Sequence, residues 1–243
     1  MKTLFVTGTD TDVGKTWISC LILSHLAAEG RSVGAYKPAC SGATSDPNGR
    51  PIWTDVEQLA NAITKTSEDT NRSPASESGI VERICPQRFL APLAPNMAAA
   101  AEGKVVDDAL LRHGLKVWEN VSDFLVIEGA GGLMCPLSDE SRVLQLANQV
   151  KAPMLIVAGN KLGVVNHTML TVDVAIRNGL DIAAVVLNDC SPVEDSSDQS
   201  QSSNFQLLLQ QLPDVQLLRC AFNSKSLITS DGETLNVSQL FSA

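Results

Sequence analysis

Four short runs of this chain, residues 4–7, 124–127, 154–157 and 182–187, are apolar at nearly every position rather than at alternate ones. A strand with one wet face alternates, whereas a strand apolar throughout is covered on both faces. Residues 32–36 are a fifth strand candidate. After the first run, Ile18, Ile22 and Leu26 recur every four residues with Trp17 and Leu21 beside them, one face of a helix ending near Gly30. Strand, turn and helix then repeat. This order predicts an α/β fold with a doubly wound, mostly parallel sheet flanked by helices. Aromatic residues are only 4% of the chain, so Val, Leu, Ile and Ala must fill the core.

At about 150 residues per domain, 243 residues allow one or two domains. No composition shift marks a second core, so a single domain over residues 1–243 is predicted. Residues 66–82 are polar and read as a surface loop or irregular helix. Residues 91–95 form a proline-fixed connection. Residues 191–204 are rich in Ser, Asp and Gln and read as a mobile surface loop. The net charge of −9 argues against nonspecific binding of nucleic acid or an anionic membrane, and leaves a local anion site open. The longest apolar runs are far short of the roughly 20 residues that cross a bilayer. The N-terminus carries no signal-peptide pattern. Cys20, Cys40, Cys85, Cys135, Cys190 and Cys220 include no CxxC pair, which predicts reduced thiols in a cytoplasmic protein.

The segment from Gly8 through Gly14-Lys15-Thr16 lies between the first strand and the first helix. Glycines let main-chain N–H groups converge on an anion, and the helix presents its positive end to the same point. Lys15 adds charge toward the β/γ-phosphates and Thr16 offers a hydroxyl to Mg²⁺. The match to a P-loop is one residue out of register, because Thr9 stands where the first glycine is usual and Gly8 precedes it.

Other charged residues follow strands. Glu128 comes after the run 124–127 and precedes Gly129-Ala130-Gly131-Gly132. In an open parallel sheet the carboxyl ends of strands line the ligand crevice, where a carboxylate can hold Mg²⁺ and glycines let the backbone approach a ligand. Asp55, after Thr54, suits the first turn of a helix as well as a metal site. Lys37 follows the strand at 32–36 and Lys161 follows the one at 154–157. An acidic protein thus places Lys15, Lys37 and Lys161 in three strand-end loops, a sign of an anionic reaction centre. Asn188-Asp189 ends another strand. The Asn amide can pair with an adenine edge, and the dipeptide suits a turn equally. His25, His113 and His167 read as structural residues on helices.

Together these residues resemble the dethiobiotin synthetases. The matching stretches are 6–16, 36–38 with Ser41-Gly42, 128–132 with Pro136-Leu137, 161–163 with Asn166-His167, and 188–189. The register of the phosphate loop is itself the family form. The resemblance implies a P-loop NTPase-like fold and a homodimer. It also implies a reaction in which 7,8-diaminononanoate, CO₂ and ATP with Mg²⁺ give dethiobiotin, ADP and phosphate. Carried over residue by residue, it makes Thr16, Asp55 and Glu128 the Mg²⁺ ligands. Asp12, Val13, Gly14, Lys15, Thr16 and Trp17 wrap the nucleotide, with Gly129, Ala130 and Gly131 beside it. Lys37 is the catalytic lysine, and Thr11 and Lys15 lie near the carbamate and γ-phosphate. Ser41 contacts substrate, Asn188 and Asp189 meet adenine, and Gly163 and Asn166 bind the substrate carboxylate across the dimer. The chain departs from the pattern at Ala94-Pro95-Asn96, where Ser-Pro-His is usual, and after residue 190.

The alternative is a ParA/MinD-like ATPase switch. It calls for a lysine early in the loop, where Thr9 and Asp10 stand, and in its membrane form for a basic amphipathic C-terminal helix, where residues 236–243 carry no charged side chain. An ATP-dependent amidase of the cobyrinate type shares the deviant loop but needs a glutaminase domain.

Overall fold

The computed structural model describes residues 1–64, 79–192 and 197–242. Strand β1 (Lys2–Gly8) runs between β5 (Phe124–Gly132) and β6 (Met154–Gly159), parallel to both. Beyond β5 lies β2 (Val33–Tyr36), and beyond β6 come β7 (Ile182–Asn188) and β8 (Leu217–Cys220), all parallel. A short antiparallel strand, β9 (Ile228–Thr229), closes that edge, so the described order is β2-β5-β1-β6-β7-β8-β9. The doubly wound sheet is flanked by helices, as the unbroken apolar runs require. A separate ribbon pairs β3 (Thr44–Ser45) with β4 (Pro51–Ile52).

The chain leaves β1 through helix α1 (Lys15–Ala28), moves to β2, returns to β5 and then crosses β1 to reach β6. This reversal puts the carboxyl ends of β1 and β5 where an open sheet offers its ligand crevice. Leu4, Phe5, Val6, Leu125, Val126, Leu155, Ile156 and Val186 are fully or almost fully buried there. Ile18, Ile22 and Leu26 of α1 pack on the same core, whereas Trp17, at 42% exposure, turns outward.

Strand β5 runs to Gly132, past the expected end at residue 127. Glu128 therefore lies inside the strand, opposite Val6, and Asn188 is the last residue of β7 rather than the first after it. Hydropathy stops at the first polar side chain, but a hydrogen-bonded ladder needs only backbone.

Helix α2 (Thr54–Thr64) follows β4. Residues 65–78, which include most of the polar segment 66–82, lie outside the described residues; α3 (Ile80–Ile84) comes next. The proline-rich connection ends at Pro95, the first residue of α4 (Pro95–Ala101). Helix α5 (Asp108–His113) precedes β5 and α6 (Val143–Val150) follows it. Helix α7 (Val164–Arg177) follows β6. Within 191–204, read from sequence as a mobile loop, residues 193–196 lie outside the described residues. The rest includes a 3-10 turn (Gln199–Ser202) and the start of α8 (Asn204–Gln211), with Gln201 and Asn204 buried. Their buried contacts are amide hydrogen bonds, which leave no trace in hydropathy.

Candidate active site

Residues 9–14 join β1 to α1. Gly14 caps the helix with φ 91°, and Asp12 also has positive φ, at 57°. Left-handed backbone strains a residue that carries a Cβ. At Gly14 space forbids one as well, because a Cβ would lie 2.2 Å from Asn188 Nδ2. At Gly8 a Cβ would meet the Asp10 carbonyl at 2.8 Å. The early glycine is thus required by the path of the loop. Lys15 Nζ donates to the Asp10 carbonyl at 2.8 Å. Burial lowers the pKa of Lys15, the Glu128 charge opposes that shift and Lys37 adds to it.

Three elements converge beside this loop. Lys37 leaves the end of β2 with its N–H donating to the Ile84 carbonyl at 2.7 Å. Its side chain is 4% exposed, and Nζ lies 2.6 Å from Glu128 Oε1 and 2.8 Å from Asp55 Oδ2. Thr16 Oγ1 donates to the same Glu128 Oε1 at 2.8 Å. Burial alone would depress Lys37, but the charges of Glu128 and then Asp55 prevail and hold it well above the usual lysine range. Asp55 sits in the first turn of α2 with its side chain 46% exposed. Burial raises its pKa, but the Lys37 charge and hydrogen bond outweigh that and hold it low.

Glu128 Oε2 is buried and has no hydrogen-bond partner among the described residues. A buried carboxylate oxygen calls for a donor or a cation. The oxygens of Thr16, Asp55 and Glu128 suit a hard cation. Among the described residues no group of three or more His, Cys, Asp or Glu side chains could cage a metal. Mg²⁺ needs no such cage, since it keeps waters and takes one or two carboxylates together with phosphates.

The other side of the crevice is built from amides. Asn188 Nδ2 donates to the Val13 carbonyl at 3.0 Å, clamping the end of β7 to the phosphate loop. Asp12, Gly14, Trp17, Asn188, Cys190 and Phe222 contribute to the lining of a cavity of about 220 Å³. Phe222 belongs to the stretch where the sequence pattern fades. Asp189 also borders this cavity, but its carboxylate is taken up by Asn160 Nδ2 at 2.6 Å and Arg219 Nη2 at 3.4 Å.

The structure joins Lys15, Thr16, Lys37, Asp55 and Glu128 in one cluster. Thr11 lies across from Gly131, where a Cβ would stand 3.8 Å from Thr11 Oγ1. Gly129 answers to packing, since a Cβ there would come within 2.9 Å of Val143. Ala130 packs half-buried against the core. Ser41 Oγ donates to the Leu93 carbonyl at 2.6 Å, on the loop before α4. Gly163, the N-cap of α7, and the exposed Asn166 stand outside the hydrogen-bonded cluster. Their turn is tied to the phosphate loop by Lys161 Nζ, 3.5 Å from Asp10 Oδ2. Asn96, in place of the usual histidine, reaches Asp139 Oδ1 at 3.2 Å. Sequence reasoning missed Asp10, Asn160, Gln201 and Asn204. Only Asp10 and Asn160 carried a signal, as polar neighbours of strand ends.

A family model described as an AAA domain matches residues 2–220. The ATP-dependent dethiobiotin synthetase BioD of Anaeromyxobacter sp. (strain K) is 41% identical over 81% of this chain and 81% of its own. BioD 1 of Escherichia coli (strain K12) is 36% identical over 79% of each chain. BioD of Rhodopirellula baltica is 36% identical over 82% of this chain and 76% of its own. Among solved structures, the MinC:MinD cell division complex of Aquifex aeolicus superposes with a TM-score of 0.49 at 15% identity, covering 93% of this chain and 83% of that one. A likeness of that degree does not bear on activity.

Proposed function

The chain belongs to the ATP-dependent dethiobiotin synthetase family, and from that premise we propose that it closes the ureido ring of dethiobiotin from 7,8-diaminononanoate, CO₂ and ATP. One amine of the diamine attacks CO₂ and loses a proton, giving a carbamate. A carbamate oxygen attacks the γ-phosphorus and ADP leaves. The second amine attacks the carbamoyl carbon of the mixed anhydride, phosphate departs and the ring closes.

The observation that carries this reading is Lys37, buried between Glu128 and Asp55 next to Lys15 and Thr16. A carbamate and a triphosphate repel each other, so their meeting requires fixed positive charge. Lys15 serves the γ-phosphate and Lys37 the carbamate, with Thr11 at the same place. Main-chain N–H groups of 12–17 hold the phosphates at the start of α1. Thr16, Asp55 and Glu128 would hold Mg²⁺, which would supply further charge neutralisation on the phosphates. Gly129, Ala130 and Gly131 border the nucleotide, and Asn188 forms the adenine end with Asp189 beside it, the Asp189 carboxylate being engaged by Asn160 and Arg219. Ser41, Gly163 and Asn166 orient the diamine, the last two from a second copy in a homodimer. Ring closure is intramolecular, so holding both amines removes much of its entropic barrier.

We read residues 1–243 as one domain working in the cytoplasm; among the described residues no helix is long and apolar enough to cross a membrane. The test is incubation with ATP, Mg²⁺, bicarbonate and diaminononanoate, with mass spectrometry for the cyclic urea. Dethiobiotin formation with stoichiometric ADP is expected. ATP hydrolysis at full rate without the diamine, and no cyclic urea, overturns the reading.

A further inference from the structure

Asn160 follows β6, is 3% exposed and has every polar group engaged. Its Nδ2 donates to Asp189 Oδ1 at 2.6 Å and to the Gln201 carbonyl at 3.2 Å. Its Oδ1 accepts from Asn204 Nδ2 at 2.9 Å, and its carbonyl accepts from Gln201 Nε2 at 2.9 Å. Its N–H donates to the Asn188 carbonyl at 2.7 Å. One residue therefore joins the end of β7, the turn before α7 and the segment leading into α8.

The same segment grips that turn twice more. Asn204 Nδ2 also reaches the Lys161 carbonyl at 3.3 Å, and the Leu162 N–H donates to Asp198 Oδ2 at 2.6 Å. Gly163 then turns with φ 92° and α7 begins. A buried amide with all partners in place has one orientation, because rotating it sets donor against donor and acceptor against acceptor. A core requiring only volume would be served by an aliphatic side chain here.

We infer that Asn160 is a positioning residue that fixes the turn 161–163, which in the proposed homodimer bears the diamine of the second copy's site, against the chain's own strand end at 188–189, with Asn204 bracing it from the α8 side. The inference rests on the proposed function for the role of that turn. It assigns the Asp189 carboxylate to holding Asn160 rather than to touching nucleotide.

The test exploits the direction of the Asn160–Asp189 bond. Asn160→Asp keeps the shape but sets two carboxylates against each other. Adding Asp189→Asn restores a donor–acceptor pair with its direction reversed. For Asn160→Asp a rise of at least tenfold in KM for diaminononanoate is expected, with kcat and KM for ATP each moving less than threefold. The double variant should return that KM to within threefold of wild type. Asn204→Ala, at the periphery of the network, should raise the same KM about threefold. It carries the test alone should Asn160→Asp fail to fold, as judged by circular dichroism. Diamine KM values within twofold of wild type in the folded variants overturn the inference, and so does a uniform fall in kcat with both KM values unchanged, or a double variant no better than Asn160→Asp. Wild-type protein that makes no dethiobiotin would sink the functional reading instead, so the two failures are distinct.

Discussion

The β2–β5 side of the crevice and the β6–β7 side solve the same problem with different chemistry. On the first, buried Lys37 and Glu128 and the half-exposed Asp55 bring opposite charges within 2.8 Å of one nitrogen. On the second, Asn160, Gln201 and Asn204 link neutral amides around the single buried carboxylate of Asp189. Charges taken out of water are costly unless paired, so the first side is held together by what an incoming anion and cation must rearrange. Neutral amides carry a smaller desolvation cost and keep their partners when ligand arrives. The contrast separates a side suited to chemistry from one suited to registration.

The sharpest way to break this contrast is Lys37→Ala. Loss of a preorganised charge next to the reacting groups is worth about 10²–10³ in kcat. Turnover should fall by about that factor while binding of a non-hydrolysable ATP analogue, measured by calorimetry, persists. Dethiobiotin formation at the wild-type rate would remove Lys37 from the chemistry.

Glu128→Gln comes next, because Glu128 partners both Lys37 and Thr16. Removing one member of a buried pair costs about 3–5 kcal/mol when the other stays charged, and Asp55 remains to compensate in part. The Mg²⁺ concentration for half-maximal activity should rise by about tenfold, a factor worth about 1.4 kcal/mol. An unchanged Mg²⁺ titration would take Glu128 out of the metal shell.

Gly14→Ala probes the contact between the two sides. The new Cβ would stand 2.2 Å from Asn188 Nδ2 on a backbone with φ 91°. A destabilisation of about 1–3 kcal/mol, read by urea unfolding, is expected from the strain. Nucleotide affinity should fall with it as Asn188 is pushed aside. A neutral substitution would mean that the clamp yields freely.

The pH dependence of stability separates the sides more gently. The pKa of Asp55 lies below its unfolded value, so its pairing stabilises fully above about pH 4 and is lost as pH falls through the folded value. The pKa of Lys37 is raised, so its contribution is complete below about pH 10.4 and fades only as pH climbs through its folded value. Urea melts from pH 3 to 7 should show a steeper acid loss in wild type than in Asp55→Asn. Equal slopes would dissolve the pair.

The smallest effect concerns thiols. Burial pushes Cys20 up to about 12 and Cys40 and Cys220 to about 11; it raises Cys190 as well, but that thiol is exposed at the cavity. Iodoacetamide at pH 8 should label Cys190 first, and bound nucleotide should slow that labelling. Faster labelling of Cys220 would contradict the packing of the β8 edge.

The amino-acid sequence by itself determined the α/β class, the position of the phosphate loop and the lysines at strand ends. These follow from local rules: unbroken apolar runs, glycine where the backbone needs it, and charge where strands stop. Asp55 stayed ambiguous, since Thr54-Asp55 starts a helix equally well, until folding brought it to Lys37, 18 residues away in the chain. Lys37 meeting Glu128 spans 91 residues, and Asn160 meeting Asn204 spans 44. Only the tertiary structure decided those pairings. Hydropathy records whether a residue avoids water, whereas a buried polar side chain is tolerated only by partners that arrive from elsewhere in the chain.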